Sequence, residues 1–197
     1  MIAEPRAAAS LILLRRGGKH RDRGVEVLLL RRSSEASFMP GVWVFPGGAV
    51  DPEDAGDEEA AHVACAVREL REEAGIELPS DSEVLAWSQW ITPEPVPVRF
   101  DTRFYVTLAP AHARPRPDGL ETTEARWAAP GDALERHRAG ELDLVFPTIK
   151  HLESLLPYSS SDEVLAAARD RVVEPVLPRV VDEQGGRRIL LPGDPGY

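Results

Sequence analysis

Apolar positions follow two different rhythms along this chain. Residues 8–14 and 25–30 are dense β-like runs, and the Gly-, Lys- and Arg-rich stretch 15–24 between them reads as a hairpin loop. Residues 42–45 form a short strand that enters a Pro46-Gly47-Gly48 turn. From 58 to 74 the rhythm becomes helical. At about 100° per residue, Val63, Val67, Leu70 and Ala74 share one sector, the apolar stripe of an amphipathic helix. Glu69, Glu72 and Glu73 neighbour one another at i, i+3 and i, i+4 on roughly the opposite side. Gly75 suits the left-handed C′ position that ends such a helix.

Further strands are expected at 84–91, 103–108 and 126–128, with proline-broken 92–98 unsuited to a central strand. Helices are expected near 132–139, 148–155 and 162–169, and a terminal strand at 188–191. There is no internal repeat. The order of elements predicts an α+β fold, a helix-flanked sheet.

The chain has 197 residues, enough for one domain spanning 1–197, with 148–197 as a C-terminal helical and tail extension. A formal charge of −10 argues against nonspecific nucleic-acid or anionic-membrane binding, which need basic surface. A polyanionic substrate stays compatible if metal ions and local arginines offset the field. The single Cys65 offers no intramolecular disulfide, in keeping with a reducing compartment. No run approaches the ~18–20 apolar residues of a membrane span. The apolar N-terminal run lacks a preceding basic region, so it reads as a strand rather than a signal peptide. The expected location is cytoplasmic.

Candidate chemistry starts with the three glutamates. Crowding them costs a helix about 0.2–0.5 kcal/mol per like-charged pair, whereas a hard cation with oxygen ligands turns the repulsion into coordination. The plain alternative is a solvated face paired with Arg68 and Arg71. Arg68 preceding Glu72 is the less favourable i, i+4 order, so pairing accounts poorly for the pattern.

Residues 68–76, Arg-Glu-Leu-Arg-Glu-Glu-Ala-Gly-Ile, resemble the second half of the Nudix box, G-x5-E-x7-R-E-U-x-E-E-x-G-U with U aliphatic, and Gly47-Gly48 resemble its opening glycine turn. Two departures stand out. Gly48 lies twenty residues before Arg68 instead of fourteen, a six-residue insertion, and Ala60 occupies the place of the early glutamate. Asp57, Glu58 or Glu59 are neighbouring substitutes. The resemblance implies a Nudix-type α/β/α sandwich with a mixed β-sheet between helices. It implies Glu69, Glu72 and Glu73 as ligands of Mg²⁺ or Mn²⁺, the Gly47 carbonyl as a backbone ligand, and Arg68 as the group orienting the glutamates. Arg68, Glu72 and Glu73 form the implied catalytic set.

Residues 28–48 are also similar to the coenzyme A diphosphatase branch of that family, L-L-T-x-R-[SA]-x3-R-x3-G-x3-F-P-G-G. Leu28, Leu29, Arg32, Ser33, Gly41 and Phe45 to Gly48 match; Leu30 and Ser37 replace the branch's Thr and second Arg. The resemblance makes Arg32, Ser33 and Gly48 candidate substrate-binding residues, with His20 and Arg23 as candidates for meeting a 3′-phosphate. The insertion, the Phe38-Met39-Pro40-Gly41 run and Phe146-Pro147-Thr148 look like a peroxisomal mammalian group that acts on coenzyme A.

The implied reaction is metal-dependent hydrolysis of a nucleoside diphosphate linked to another group. Coenzyme A would give 3′,5′-ADP and (acyl-)phosphopantetheine. The general base is either a box glutamate or Glu121 or Glu124, which precede Trp127. Trp43, Trp87, Trp90 and Tyr105 are candidate adenine stacks or core residues, and the histidines show no metal-ligand spacing. Other substrates (ADP-ribose, dinucleotides, damaged nucleotides) and a noncatalytic nucleotide sensor remain alternatives, the last weakened by the intact carboxylate set. The expected partner is a small-molecule nucleotide, with neither nucleic acid nor membrane. The C-terminal helices and tail offer a homodimer surface or a cover for the substrate.

Overall fold

Both hydrophobic runs become central strands of one sheet. The structure, a computed structural model, describes residues 3–16, 24–36, 39–183 and 186–197. Strand β1 (Arg6–Arg16) pairs antiparallel with β2 (Val25–Arg32), in register Leu14 opposite Val27, as a hairpin requires. Leu11, Leu13, Leu28 and Leu30 face one core cluster, while Ile12, Leu14, Val27 and Leu29 face the other. Both faces are therefore covered, which is why these strands lack polar alternation.

The remaining sheet strands are β3 (Trp43–Val44), β4 (Gly47–Ala49), β5 (Leu85–Ile91), β6 (Phe100–Leu108), β7 (Thr122–Ala128) and β8 (Pro175–Val176). The order is β3-β2-β1-β6-β5-β8, with β4 on β1 and β7 on β2. β6 runs parallel to β1, from Arg6 opposite Phe100 to Leu14 opposite Leu108, so the sheet is mixed. Strand β4 is absent from the hydrophobic pattern because its two glycines have no side chains to alternate. It pairs with Ala8, Ala9 and Ser10.

Helix α1 (Glu58–Ala74) covers one face through Cys65, Ala66, Leu70 and Ala74. α2 (Pro130–Arg138), α3 (Phe146–Leu155) and α4 (Ser161–Arg169) cover the other with Leu134, Leu152, Leu155, Val164 and Leu165. This is the expected sandwich. Beyond it, β9 (Arg179–Glu183) and β10 (Gly186–Leu190) form a separate hairpin, so the expected terminal strand has a partner.

Helix α1 has the bounds its periodicity predicts. Asp57 caps its start by accepting from Ala60 N at 2.9 Å, and Gly75 ends it at φ +62° with its N–H on Arg71 O. The buried face, however, is rotated from the expected stripe. Its members are His62, Cys65, Ala66, Glu69, Leu70, Glu73 and Ala74, while Val63 and Val67 are only half-buried. The expectation that the three glutamates lie opposite the core is thus corrected for Glu69 and Glu73, whereas Glu72 is exposed. Strand β4, which the apolar pattern does not show, rises beside the helix and covers Glu69 and Glu73.

Candidate active site

The site lies where β4 crosses α1. Gly47 N donates to Glu73 Oε2 at 2.9 Å, so the glycine turn and the helix are joined by a backbone-to-carboxylate bond. A Cβ on Gly48 would fall 2.6 Å from Glu69 Cδ, which makes glycine necessary for this approach. On Gly47 a Cβ would collide with Ala9 O and Ser10 Cα of β1. The two glycines therefore differ in purpose, one admitting a carboxylate and the other a strand.

Glu73 is 3% exposed and Glu69 9%. Burial raises both carboxyls above the usual range, Glu73 to about 8, against the lowering effects of the Gly47 amide on Glu73 and Arg68 on Glu69. Two buried, mutually repelling carboxylates beside a backbone that can approach only through glycine form a hard-oxygen cradle whose charge the protein leaves undercompensated. Those donors fit a divalent cation. Glu72 differs: it is half-exposed and bonds Arg68 at 3.0 Å. Among the described residues, no three His, Cys, Asp or Glu side chains converge into a ready cation shell.

Arg68 is the hub. Its Nη1 donates to Glu69 Oε1 at 2.8 Å and Glu72 Oε2 at 3.0 Å. Its Nε and Nη2 make a bidentate pair with Asp54, both at 3.0 Å, and Nη2 also reaches Ala49 O. Arg68 draws the Asp54 carboxyl below its ordinary value, and Asp54 in turn pushes the guanidinium up. Sequence reasoning missed Asp54. A signal for it existed: Asp54 lies six residues after Gly48, the acid position of G-x5-E counted from that glycine, whereas counting back from Arg68 leads to Ala60. The neighbours named as substitutes go elsewhere: Asp57 caps α1, while Glu58 and Glu59 pair with Arg103. Cys65 is buried as expected, its thiol pushed up to about 12 by burial.

The loop before β7 completes the site. Asp118 accepts from the amides of Leu120, Glu121 and Thr122, and Thr122 Oγ1 donates to Glu73 O at 2.7 Å. Ser33 N donates to Glu121 O, joining this loop to the end of β2. The charge of the Glu121 carboxylate contributes to raising both Glu69 and Glu73. Glu124 is not brought there. It pairs with Arg31 at 2.6 Å, its partner in strand register. Asp118 was also missed, because an Asp-Gly turn signals only a bend.

Arg32 lowers Glu73, placing it within electrostatic reach of the cluster. The Ser33 hydroxyl accepts from Glu35 N within a local turn. His20, Arg23, Ser37 and Phe38 lie outside the described residues. Trp43, Trp87 and Tyr105 are buried in the core, and Trp90 packs edge-on against Phe146, so none of the four is displayed as an adenine platform.

The profile of the NUDIX domain matches residues 4–146, a span that contains β4, α1 and the 118–122 loop. The chain belongs to the Nudix family. It is a pyrophosphohydrolase, and Nudix enzymes generally use divalent metal ions. It is similar to putative nudix hydrolase 7 of Caenorhabditis elegans, 28% identical over 98% of this chain and 74% of that protein. It is also similar to acyl-coenzyme A diphosphatase NUDT19 of Gallus gallus, 25% identical over 87% and 72%. A Nudix hydrolase crystal structure from Alicyclobacillus acidocaldarius superimposes with a TM-score of 0.75 at 27% identity, covering 84% of this chain and 97% of that one. The Nudix domain of Shewanella oneidensis NrtR, solved with ADP ribose, shares the fold at a TM-score of 0.56 and 19% identity, over 77% and 86%. Among the described residues, no helix is long and apolar enough to cross a membrane.

Proposed function

We propose that this Nudix hydrolase cleaves the pyrophosphate of coenzyme A or an acyl-coenzyme A, giving 3′,5′-ADP and (acyl-)phosphopantetheine. The observation that carries the reading is the buried pair Glu69 and Glu73 against Gly47 and Gly48, backed by Arg68 and flanked by Glu121. Coenzyme A is favoured among pyrophosphates by the 28–48 motif and by the likeness to a protein named as an acyl-coenzyme A diphosphatase.

In this proposal Glu69 and Glu73, with the Gly47 carbonyl and Glu72, hold Mg²⁺ or Mn²⁺. When bound, the ion supplies neutralisation of the pyrophosphate charge and a more acidic water. The residues' own work is positional. Gly47 N–H and Arg68 fix the two buried carboxylates before substrate arrives, which spares reorganisation at the moment of reaction. Glu121, anchored through its backbone by Asp118, is the candidate to take the proton from the attacking water. Arg32 offers a cation to a substrate phosphate from the end of β2. Water adds to one phosphorus, the bridging P–O bond breaks, and two phosphate monoesters leave.

The test is a panel of coenzyme A, acyl-coenzyme A, ADP-ribose, dinucleotides and oxidised nucleoside triphosphates, with Mg²⁺ and with Mn²⁺, reading products by mass. The expected result is the highest kcat/KM on a coenzyme A substrate, with 3′,5′-ADP as product. Preference for ADP-ribose would overturn the substrate assignment.

A further inference from the structure

A second charged region lies beyond the carboxylate cradle, where residues 110–116 pass the C-terminal end of α1. There a cavity of about 440 Å³ is lined by Gly75, Ile76 and Glu77 on one side and by His112, Arg114 and Arg116 on the other. We infer that this pocket receives the substrate's phosphate monoester, the 3′-phosphate of coenzyme A, and that Arg114 and Arg116 bind it. This deepens the proposed function and rests on coenzyme A being the substrate.

Local sequence explains why the cations stand together. Arg114 and Arg116 each precede a proline, which holds both in extended backbone. Exposure alternates along the segment: His112, Arg114 and Arg116 are exposed, while Ala113, Pro115 and Pro117 are half-buried. The three polar side chains thus leave from one edge, about 6–7 Å apart along the chain. The prolines also limit the freedom that the loop has left to lose when a ligand binds. The pocket is preformed.

Its charge is uncommitted. Among the described residues, neither the Arg114 nor the Arg116 side chain has an ion-pair or hydrogen-bond partner. Residues 110–116 contain no acid, in a chain with 33 Asp and Glu against 23 Lys and Arg. Glu77 is the one carboxylate lining the pocket, so the two arginines leave it net cationic. Asp118 is close in sequence, but its carboxylate accepts from the amides of Leu120, Glu121 and Thr122. A favourable contact with the carbonyl end of α1 would account for one cation there, not for a cavity lined by several. A phosphate monoester carries close to two negative charges at pH 7, which suits two guanidinium forks. The position fits as well. Arg116 N donates to Ala74 O at 2.7 Å, and Thr122 Oγ1 donates to Glu73 O at 2.7 Å. One short strap therefore carries Arg116 and Glu121 across the last turn of the helix that bears Glu73. In coenzyme A a single ribose separates the 3′-phosphate from the pyrophosphate, which matches a strap joining the two sites.

The test compares coenzyme A with dephospho-coenzyme A, which has the same pyrophosphate and no 3′-phosphate. Wild type, Arg114→Ala, Arg116→Ala, the double variant and, as a control, the exposed Arg138→Ala on α2 are assayed for kcat and KM. A hydrogen bond to a charged group contributes on the order of tenfold or more. Each single variant is therefore expected to raise KM for coenzyme A by about tenfold, and the double variant by more. KM for dephospho-coenzyme A and kcat on both substrates should stay at wild-type values, and Arg138→Ala should match wild type throughout. A second readout needs no turnover: calorimetric binding of 3′,5′-ADP against 5′-AMP. Wild type should favour 3′,5′-ADP, and the double variant should bind the two alike. Should Arg116→Ala unsettle the loop, seen as a lower thermal midpoint, Arg114→Ala carries both readouts alone. Equal effects on the two substrates, the mark of a site for free phosphate, would overturn the inference and leave the proposed function standing. So would a wild type that binds 3′,5′-ADP and 5′-AMP equally while still cleaving coenzyme A. A wild type that cleaves another pyrophosphate and neither form of coenzyme A would overturn both.

Discussion

Single atoms separate the two glycines of the turn. Gly47→Ala would drive a methyl into Ala9 O and Ser10 Cα, which are backbone and cannot swing aside. It is expected to cost about 1–3 kcal/mol of stability, read as a lower denaturation midpoint. Gly48→Ala meets only the end of the Glu69 side chain, which can move. That variant should keep its fold and lose kcat and divalent-ion affinity, and a normal kcat would refute the cradle. A second contrast separates the candidate bases. Glu121→Gln should lower kcat by on the order of 10²-fold or more with little change in KM. Glu124→Gln removes only a half-exposed pair with Arg31 and should leave kcat unchanged. Equal losses from the two would disprove the assignment of the base.

At the scale of elements, a buried histidine helps to fasten α3 to the sheet. His151 Nδ1 donates to Pro147 O, and Nε2 accepts from Ser88 Oγ at 2.6 Å, with the ring stacked 4.0 Å from Phe104. Burial pushes its pKa down to about 4, so the folded protein keeps the ring neutral where the unfolded chain charges it. A His with a depressed folded pKa stabilises fully above about pH 6.5, and that contribution is lost as pH falls towards 4, at about 1.4 kcal/mol per unit. Glu73, raised by burial, has the opposite slope, so the clear measurement is a difference. The stability advantage of wild type over His151→Gln, from urea denaturation in EDTA, should shrink between pH 6.5 and 4. A constant difference would show that His151 titrates normally. The helices were legible as elements for an ordinary reason: α1, α3 and α4 each repeat apolar residues at 3–4-residue spacing. Strand β4 was not, since a Gly-Gly pair carries no periodicity, and β9 escaped notice in the proline-punctuated tail.

Across the whole molecule, the sheet brings together segments far apart in sequence. β4 (Gly47–Ala49), α1 and the 118–122 loop meet at the edges of β1 and β2, so the site exists only when the mixed sheet is closed. On the proposed reading a divalent ion binds the folded cradle and has no equivalent in the unfolded chain, so Mg²⁺ or Mn²⁺ should raise the thermal midpoint. EDTA should abolish turnover, and either ion in excess should restore it. Full activity in the chelator, with no thermal shift on adding the ions, would rule out the metal-dependent reading. The net charge of −10 adds a further expectation about setting rather than mechanism: an anionic substrate meets a repelling surface, which on the proposed reading Arg32 and a divalent ion would offset locally.

Residue order alone determined the helix from Glu58 to Ala74, its capping glycine, the run Arg68 to Ile76 and the hairpin of β1 and β2, because each is fixed by periodicity or spacing within a few turns of chain. It also determined that six residues more than the pattern requires separate Gly48 from Arg68. Only the tertiary structure decided that Glu69 and Glu73 are buried while Glu72 is not, that Asp54 pairs with Arg68, and that Glu124 pairs with Arg31. Those outcomes depend on which way a loop folds over a helix and which strand lies against it. Contacts between distant segments settle such choices, and no local rhythm of apolar and polar residues records them.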